Sequence, residues 1–188
     1  MDAYLAELVD ILRDEVSGLI RLGCTYVQID SPRDTALLDP DLREGYRQRG
    51  NNPDRLLDLS IEMDNAVIAD HPGIIFGLHL CRGNNQSKFY AAGGFEPLRQ
   101  VPADRTVVLG LVSSKKPDLE SKDELKARIK SASVFVSLNR LALSSQCGFA
   151  PTLEGNAVTA ADQEAKLRLV AETAEEVWGK SVPLSPSA

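Results

Sequence analysis

The amino-terminal segment has its apolar residues on one side of a predicted helix. They recur at alternating spacings of four and three residues, at Leu5, Val9, Leu12, Val16 and Leu19. Gly23 follows the last of them, and glycine is the residue that most often ends a helix. The pattern predicts an amphipathic helix that packs through this face.

Three later helices are predicted from a capping residue that precedes apolar residues at helical spacing. Asn52 stands before Pro53, Ser121 and Glu124 form a predicted capping box, and Thr159 caps the last helix. The apolar residues of these helices are Leu57, Ile61 and Ile68, then Leu125 and Ile129, and finally Leu167, Val170, Ala174 and Trp178.

Four short runs of β-forming residues, at 26–30, 74–80, 106–111 and 141–145, are predicted to be strands. The run at 74–80 is apolar almost throughout, which is typical of a strand buried on both faces of a parallel sheet. Strands and helices alternate, which favours an α/β fold with parallel strands. The polar, turn-rich residues 33–51 are predicted to form a long loop.

The organisation of the chain predicts a single domain. No linker or internal repeat divides it, and we expect the domain to cover residues 1–178. Residues 179–188 are rich in Ser and Pro, and we expect them to be a disordered tail.

Net charge, the length of the apolar runs and the cysteine count limit the classes to which the protein can belong. The 188 residues include 21 Lys and Arg against 27 Asp and Glu, a net charge of −6, and no basic cluster that would favour nucleic acid as a partner. No apolar run reaches the roughly 18 to 20 residues of a membrane-spanning helix, and the acidic start does not resemble a signal peptide. We expect a cytoplasmic protein without a membrane partner. Its three cysteines do not make a disulfide framework.

Polar side chains stand at the ends of all four predicted strands. Asp30 and His79 lie at the ends of the first two strands, and Ser113 and Cys147 follow the other two. The carboxyl ends of parallel strands share one rim of a sheet, where barrel and doubly wound enzymes place their chemistry. We therefore expect these four residues to face one site.

The pair His79 and Cys81 is the most specific local feature. Side chains two apart on a strand project to the same face and can bind one metal ion. Cys147 adds a second sulfur, and one nitrogen with two sulfurs suits zinc with an open fourth position, as in catalytic zinc sites. The alternative is a packed histidine beside a buried free thiol, and the residues alone leave both interpretations open.

Four segments together resemble a known family. They are QIDSP at 28–32, LHLCRGN at 78–84, GLVSSK at 110–115 and SSQCGF at 144–149. They resemble the C-terminal catalytic barrel of cobalamin-independent methionine synthase, and more closely the stand-alone, single-barrel relatives of that domain. The resemblance implies a (β/α)8 TIM barrel in which zinc binds the thiol of homocysteine, and the thiolate takes a methyl group from 5-methyltetrahydrofolate.

The resemblance also implies roles for individual residues. By that resemblance His79, Cys81 and Cys147 would be zinc ligands, and Asp30 would hold the amino group of the amino-acid substrate. An ordinary strand-end cap is the alternative for Asp30. Ser113 stands where the family carries a catalytic histidine, and we assign it to substrate binding. No catalytic residue is assigned.

The chain departs from the family pattern in two places. Only four strands are predicted where the family barrel has eight, so the expected fold is an incomplete, TIM-barrel-like sheet with flanking helices. The family also has a glutamate zinc ligand that finds no match here. Glu96 or a water molecule would take that position.

The resemblance therefore implies a zinc-dependent methyltransferase that converts homocysteine to methionine. The alternatives are a thiol methyltransferase with another donor, such as a methyl-corrinoid, and a truncated, non-catalytic remnant of the family. Because an incomplete barrel leaves two strand edges open, we also expect that two chains could pair as a homodimer with eight strands.

Overall fold

The computed structural model describes residues 3–79, 98, 101, 105–149 and 155–180. Helices and strands alternate along these ranges. The elements are α1 Ala3–Arg21, β1 Tyr26–Asp30, α2 Pro32–Leu38, α3 Pro40–Gln48, α4 Pro53–Ile68, β2 Ile75–His79, β3 Thr106–Val112, α5 Lys122–Ala132, a 3-10 helix Leu138–Arg140, β4 Leu141–Ser145 and α6 Ala160–Trp178.

The four strands form one parallel sheet in the order β1-β2-β3-β4. The register places Asp30 beside His79, so the carboxyl ends of β1 and β2 are level. Strand β1 and strand β4 are the edges of this sheet within the described ranges. The prediction of an α/β fold with four parallel strands and flanking helices is confirmed.

The hydrophobic core lies between the helices and one face of the sheet, in two clusters. The first joins α1, α4, β1 and β2 around the buried residues Val9, Val16, Val67, Ile68 and Phe76. The second joins β3, β4, α5 and α6 around buried residues that include Val107, Leu109, Leu125, Ile129 and Leu169. Because side chains alternate along a strand, Asp30 and His79 project to the opposite face from Ile29 and Phe76.

The predicted strands agree closely with the structure. The bounds of β1 and β4 match the prediction, and β3 extends one residue further, to Val112. Strand β2 begins at Ile75 rather than at residue 74, and residue 80 lies outside the described ranges.

The prediction of a long loop over residues 33–51 is wrong, because this region contains α2 and α3. Pro32 and Pro40 each occupy a first turn, where the missing amide hydrogen costs no helical bond. Asp39 caps α3, since its carboxylate accepts hydrogen bonds from the amides of Asp41 and Leu42. The helix-start residues Pro32, Asp39 and Pro40 are thus better guides to the structure of this segment than its polar composition.

Two of the three predicted caps are formed. The side chain of Asn52 accepts hydrogen bonds from the amides of Asp54 and Arg55 at the start of α4. Thr159 forms a capping box with Asp162 at the start of α6. The capping box predicted at Ser121 is wrong, because its side chain makes no capping hydrogen bond although α5 begins there.

Two predicted apolar faces are only partly correct. Val9 and Val16 of α1 are buried, whereas Leu12 remains 49% exposed. In α6 the buried residues are Lys166, Leu169 and Thr173, and Leu167 is 47% exposed. The true inner face of α6 contains two polar residues, which a search for apolar spacing does not recognise.

No helix in the described part of the chain is long and apolar enough to cross a membrane. Most of the predicted tail, residues 181–188, lies outside the described ranges, so the boundary placed at residue 179 stays a prediction.

Candidate functional site

Asp30 and His79 are joined by a short hydrogen bond at the carboxyl ends of β1 and β2. Nδ1 of His79 lies 2.6 Å from Oδ1 of Asp30. His79 is buried, whereas the Asp30 side chain is about half exposed. The amide of Ser31 donates to the carbonyl of His79 at 3.0 Å, which extends the strand pairing past Asp30. The two side chains that the sequence placed on one rim are therefore in direct contact.

The contact fixes which ring nitrogen of His79 faces the rest of the site. An ionised carboxylate only accepts hydrogen bonds, so Nδ1 is the donor to Asp30. Nε2 points away from Asp30 and lies 3.3 Å from the carbonyl oxygen of Ser145, at the end of β4. A carbonyl oxygen only accepts, so a hydrogen bond to Ser145 requires a proton on Nε2, whereas metal ligation requires Nε2 without one. The carboxylate at Nδ1 fixes the orientation of the ring in either state.

Gly110 in the middle of β3 makes room for the His79 ring. A Cβ atom at this position would lie 2.6 Å from Nε2 of His79 and 3.1 Å from the Cα atom of Gln146. Only a residue without a side chain permits both approaches. The imidazole of His79 and the backbone of Gln146, the residue before Cys147, therefore both lie close to Gly110.

Cys147 lies two residues beyond the end of β4, with a half-buried thiol. The hydroxyl of Ser145 donates to the carbonyl of Cys147 at 3.5 Å. Cys81 and Glu96 lie outside the described ranges, so the structure does not test their predicted roles. Among the residues that it does describe, no group of three His, Cys, Asp or Glu side chains could hold a metal ion.

Ser113 is fixed at the end of β3 by its own backbone and side chain. Its amide donates to Oε1 of Glu120 at 2.6 Å, and its hydroxyl accepts from the amide of Lys115 at 3.2 Å. The side chain of Lys115 is itself buried, with Nζ 3.3 Å from Oε1 of Gln146. These contacts connect the segments that follow β3 and β4, and they place Ser113 on the same rim as Asp30 and His79.

Glu120 and Lys166 are two supporting residues that the sequence analysis missed. Lys166 is fully buried, and its Nζ donates to Oε2 of Glu120 at 3.1 Å and to the carbonyl of Asp118. Because the other oxygen of Glu120 accepts from Ser113, a single carboxylate joins α6 to the end of β3. The sequence contains one signal for this pair. Lys166 stands among apolar residues of α6, and a lysine is almost never fully buried unless its charge is paired.

The chain matches a sequence model of one family over most of its length. The model of the cobalamin-independent synthase catalytic domain matches residues 1–175. Two proteins of Bacillus subtilis strain 168 are also similar. YxjG is 40% identical over 186 residues, and YxjH is 33% identical over 207 residues. The matches cover 83% and 94% of this chain, but only 49% and 55% of those proteins.

Solved structures lead to the same family. A Listeria monocytogenes protein described as a "putative vitamin-B12 independent methionine synthase" is 26% identical, with a TM-score of 0.63 over 94% of this chain and 56% of that one. A B12-independent methionine synthase from Shewanella sp. W3-18-1, solved in complex with selenomethionine, shares the fold at 17% identity. Its TM-score is 0.64, over 91% of this chain and 53% of that one. The chain thus spans about half the length of these relatives, and it belongs to the family of cobalamin-independent methionine synthase catalytic domains.

Proposed function

We propose that this chain transfers a methyl group to the thiol of homocysteine and so forms methionine, with 5-methyltetrahydrofolate as donor and zinc as cofactor. Membership of the catalytic-domain family supports the reaction class. The single observation that carries the proposal is the hydrogen bond between Asp30 and His79 at adjacent strand ends, beside the segment that bears Cys147.

The donor set of the site fits a zinc ion. In this proposal the ligands are Nε2 of His79 and the sulfurs of Cys81 and Cys147. Asp30 is not a ligand in this arrangement. Its carboxylate accepts a hydrogen bond from Nδ1 of His79 and so fixes the orientation of the imidazole. When bound, zinc lowers the pKa of a coordinated thiol, so that a thiol with an ordinary pKa of about 8.5 is deprotonated at neutral pH.

Asp30 has a second role in this proposal. Its Oδ1 is occupied by His79, but the side chain is half exposed, so Oδ2 can accept a hydrogen bond from the ammonium group of the substrate. Ser113 contacts the substrate from the end of β3, held there by Glu120. As the new sulfur–methyl bond forms, the bond between nitrogen and methyl in the donor breaks, and the freed nitrogen takes a proton.

Two other functions compete with this one. A different methyl donor, such as a methyl-corrinoid, would use the same thiol acceptor and the same ligands. A non-catalytic remnant of the family is not favoured, because Asp30, His79 and Gly110 keep an arrangement that packing alone does not require.

Zinc content tests the ligand assignment directly. We expect about one zinc per chain in the purified protein, and a loss of most of it in His79→Ala, Cys81→Ala and Cys147→Ala. Cys24→Ala is the matched control, since Cys24 lies before β1 and its thiol donates to the carbonyl of Tyr26. Zinc retained in all three ligand variants, or absent from the zinc-supplied wild type, would contradict the proposal.

A further inference from the structure

A second cavity lies on the helix side of the sheet, away from Asp30 and His79. It has a volume of about 90 Å³ and is bounded by α2, α4, β1 and β2, with Val101 and Arg105. Ile29 and Phe76 line it, and these side chains project to the opposite face of the sheet from Asp30 and His79. The cavity is therefore separate from the proposed methyltransferase site.

Two carboxylates line this mainly apolar cavity, together with the polar side chains of Asn65 and Arg105. Asp34 of α2 is only 5% exposed, and its Oδ1 has no hydrogen-bond partner among the described residues. Asp64 of α4 accepts a hydrogen bond from the hydroxyl of Ser31 at 3.0 Å. Burial, and then the negative charge of Asp34, raise the pKa of Asp64 to about 6. A buried carboxylate oxygen without a donor is unfavourable, and a second carboxylate nearby increases the penalty.

We propose that this cavity binds a small primary amine, whose ammonium group donates to Asp34 and Asp64 and whose short aliphatic part packs on Leu57, Ile61 and Phe76. The ammonium supplies the hydrogen-bond donor that Oδ1 of Asp34 lacks. With both carboxylates ionised, the charged lining consists of Asp34, Asp64 and Arg105, for a net charge of −1, which favours a cation over an anion.

The lining selects against a metal ion as the occupant. Hard divalent cations need about six oxygen ligands, whereas most of this wall is aliphatic or aromatic carbon. The described residues also contain no group of three His, Cys, Asp or Glu that could hold a metal. The cavity volume of about 90 Å³ limits the size of the occupant, so the amine is small.

Binding of propylammonium chloride, followed by NMR chemical shifts of backbone amides at pH 7.5, tests the proposal. This pH lies above the pKa of about 6 for Asp64, so that residue carries its charge. We expect saturable shifts at residues that line the cavity, and none with 1-propanol or with sodium chloride at the same concentration. Equal binding of 1-propanol, or no saturable shift, would show a cavity that holds only water and would overturn the proposal.

Asp34→Asn should weaken propylammonium binding at least tenfold. The matched control is Asp58→Asn, because Asp58 is an exposed residue of α4 outside the cavity lining. Asp64→Asn is the second variant if Asp34→Asn fails to fold. Without amine, Asp34→Asn should raise the thermal unfolding midpoint, since it removes a buried charge. A lower midpoint in a folded variant, or unchanged amine binding in both cavity variants, would overturn the proposal.

Discussion

Gly110 is the residue on which the arrangement of the candidate site depends most directly. Gly110→Ala would place a Cβ atom 2.6 Å from Nε2 of His79 and 3.1 Å from the backbone of Gln146, and a strand backbone cannot move away freely. We expect a loss of about 1–3 kcal/mol in the free energy of unfolding, together with weaker zinc binding because the imidazole must rotate. Urea unfolding and a competition assay with a zinc chelator measure the two effects.

Gly18→Ala provides the control for this change. A Cβ atom at Gly18 would have an ordinary contact at 3.7 Å with the guanidinium of Arg21. It should stabilise α1 by about 0.5–1 kcal/mol, because alanine is the better helix former. If Gly110→Ala were as harmless as Gly18→Ala, the close approach of His79 to β3 would be incorrect.

At the scale of single residues, the sequence predicted that Asp30 and His79 lie together, but not the residues that support the site. Asp30 and His79 could be paired in advance because the ends of parallel strands share an edge. The role of Gly110 depends on which side chain crosses above it, and the role of Glu120 depends on the position of Lys166, 46 residues away. Such contacts are set by packing between distant elements, and local spacing does not encode them.

Helix α6 is attached to the end of β3 through the buried pair of Lys166 and Glu120. Lys166→Ala would leave Glu120 without its cation, and removing one partner of a buried ion pair costs about 3–5 kcal/mol. We expect the lower end of this range, because Glu120 remains 23% exposed. Arg168→Ala, which breaks an exposed pair with Glu164 on the same helix, should cost less than about 0.5 kcal/mol in urea unfolding. Equal losses would contradict the account.

The contact between α2 and α4 should make stability depend on pH. Asp64 has a pKa of about 6 in the folded chain against an ordinary value of 3.8, so between these values the folded state binds more protons. The contribution of Asp64 to stability should therefore fall as the pH rises from about 4 to about 6. The shift corresponds to at most about 3 kcal/mol, which solvent screening of this half-buried group reduces to about 1–2 kcal/mol.

Asp64→Asn should flatten this part of the profile, measured by urea unfolding at several pH values. The control Asp58→Asn should keep the full decrease, because Asp58 is exposed on the same helix. The test is the difference between the wild-type and Asp64→Asn profiles, and equal profiles between pH 4 and 6 would contradict the assignment.

At the scale of elements, strong apolar runs and caps were the reliable signals. All four strands and the helices begun by Asn52 and Thr159 follow from them. Helices α2 and α3 were missed because their residues are mostly polar, although Asp39 before Pro40 is the same start signal as Asn52 before Pro53. Polar composition describes the exposure of a segment, and it does not by itself exclude a helix.

The whole molecule has a parallel sheet with open edges at β1 and β4 in its described part. Apolar side chains are exposed around the amino ends of β1 and β2, among them Leu22, Tyr26 and Ile75. We expect two chains to pair along the open strand edges, which would give eight strands. Light scattering should then give twice the chain mass of 20.4 kDa, and a well-folded sample at the mass of one chain would refute the pairing.

Methionine formation tests the central claim most directly. The zinc-loaded protein is mixed with homocysteine and 5-methyltetrahydrofolate, and methionine is measured by mass spectrometry, with methylcobalamin as a parallel donor and the Cys147→Ala variant as the blank. We predict methionine from the folate donor, dependent on zinc and abolished in the variant. Methionine from methylcobalamin alone would contradict the proposed donor, and none from either donor would contradict methyl transfer itself.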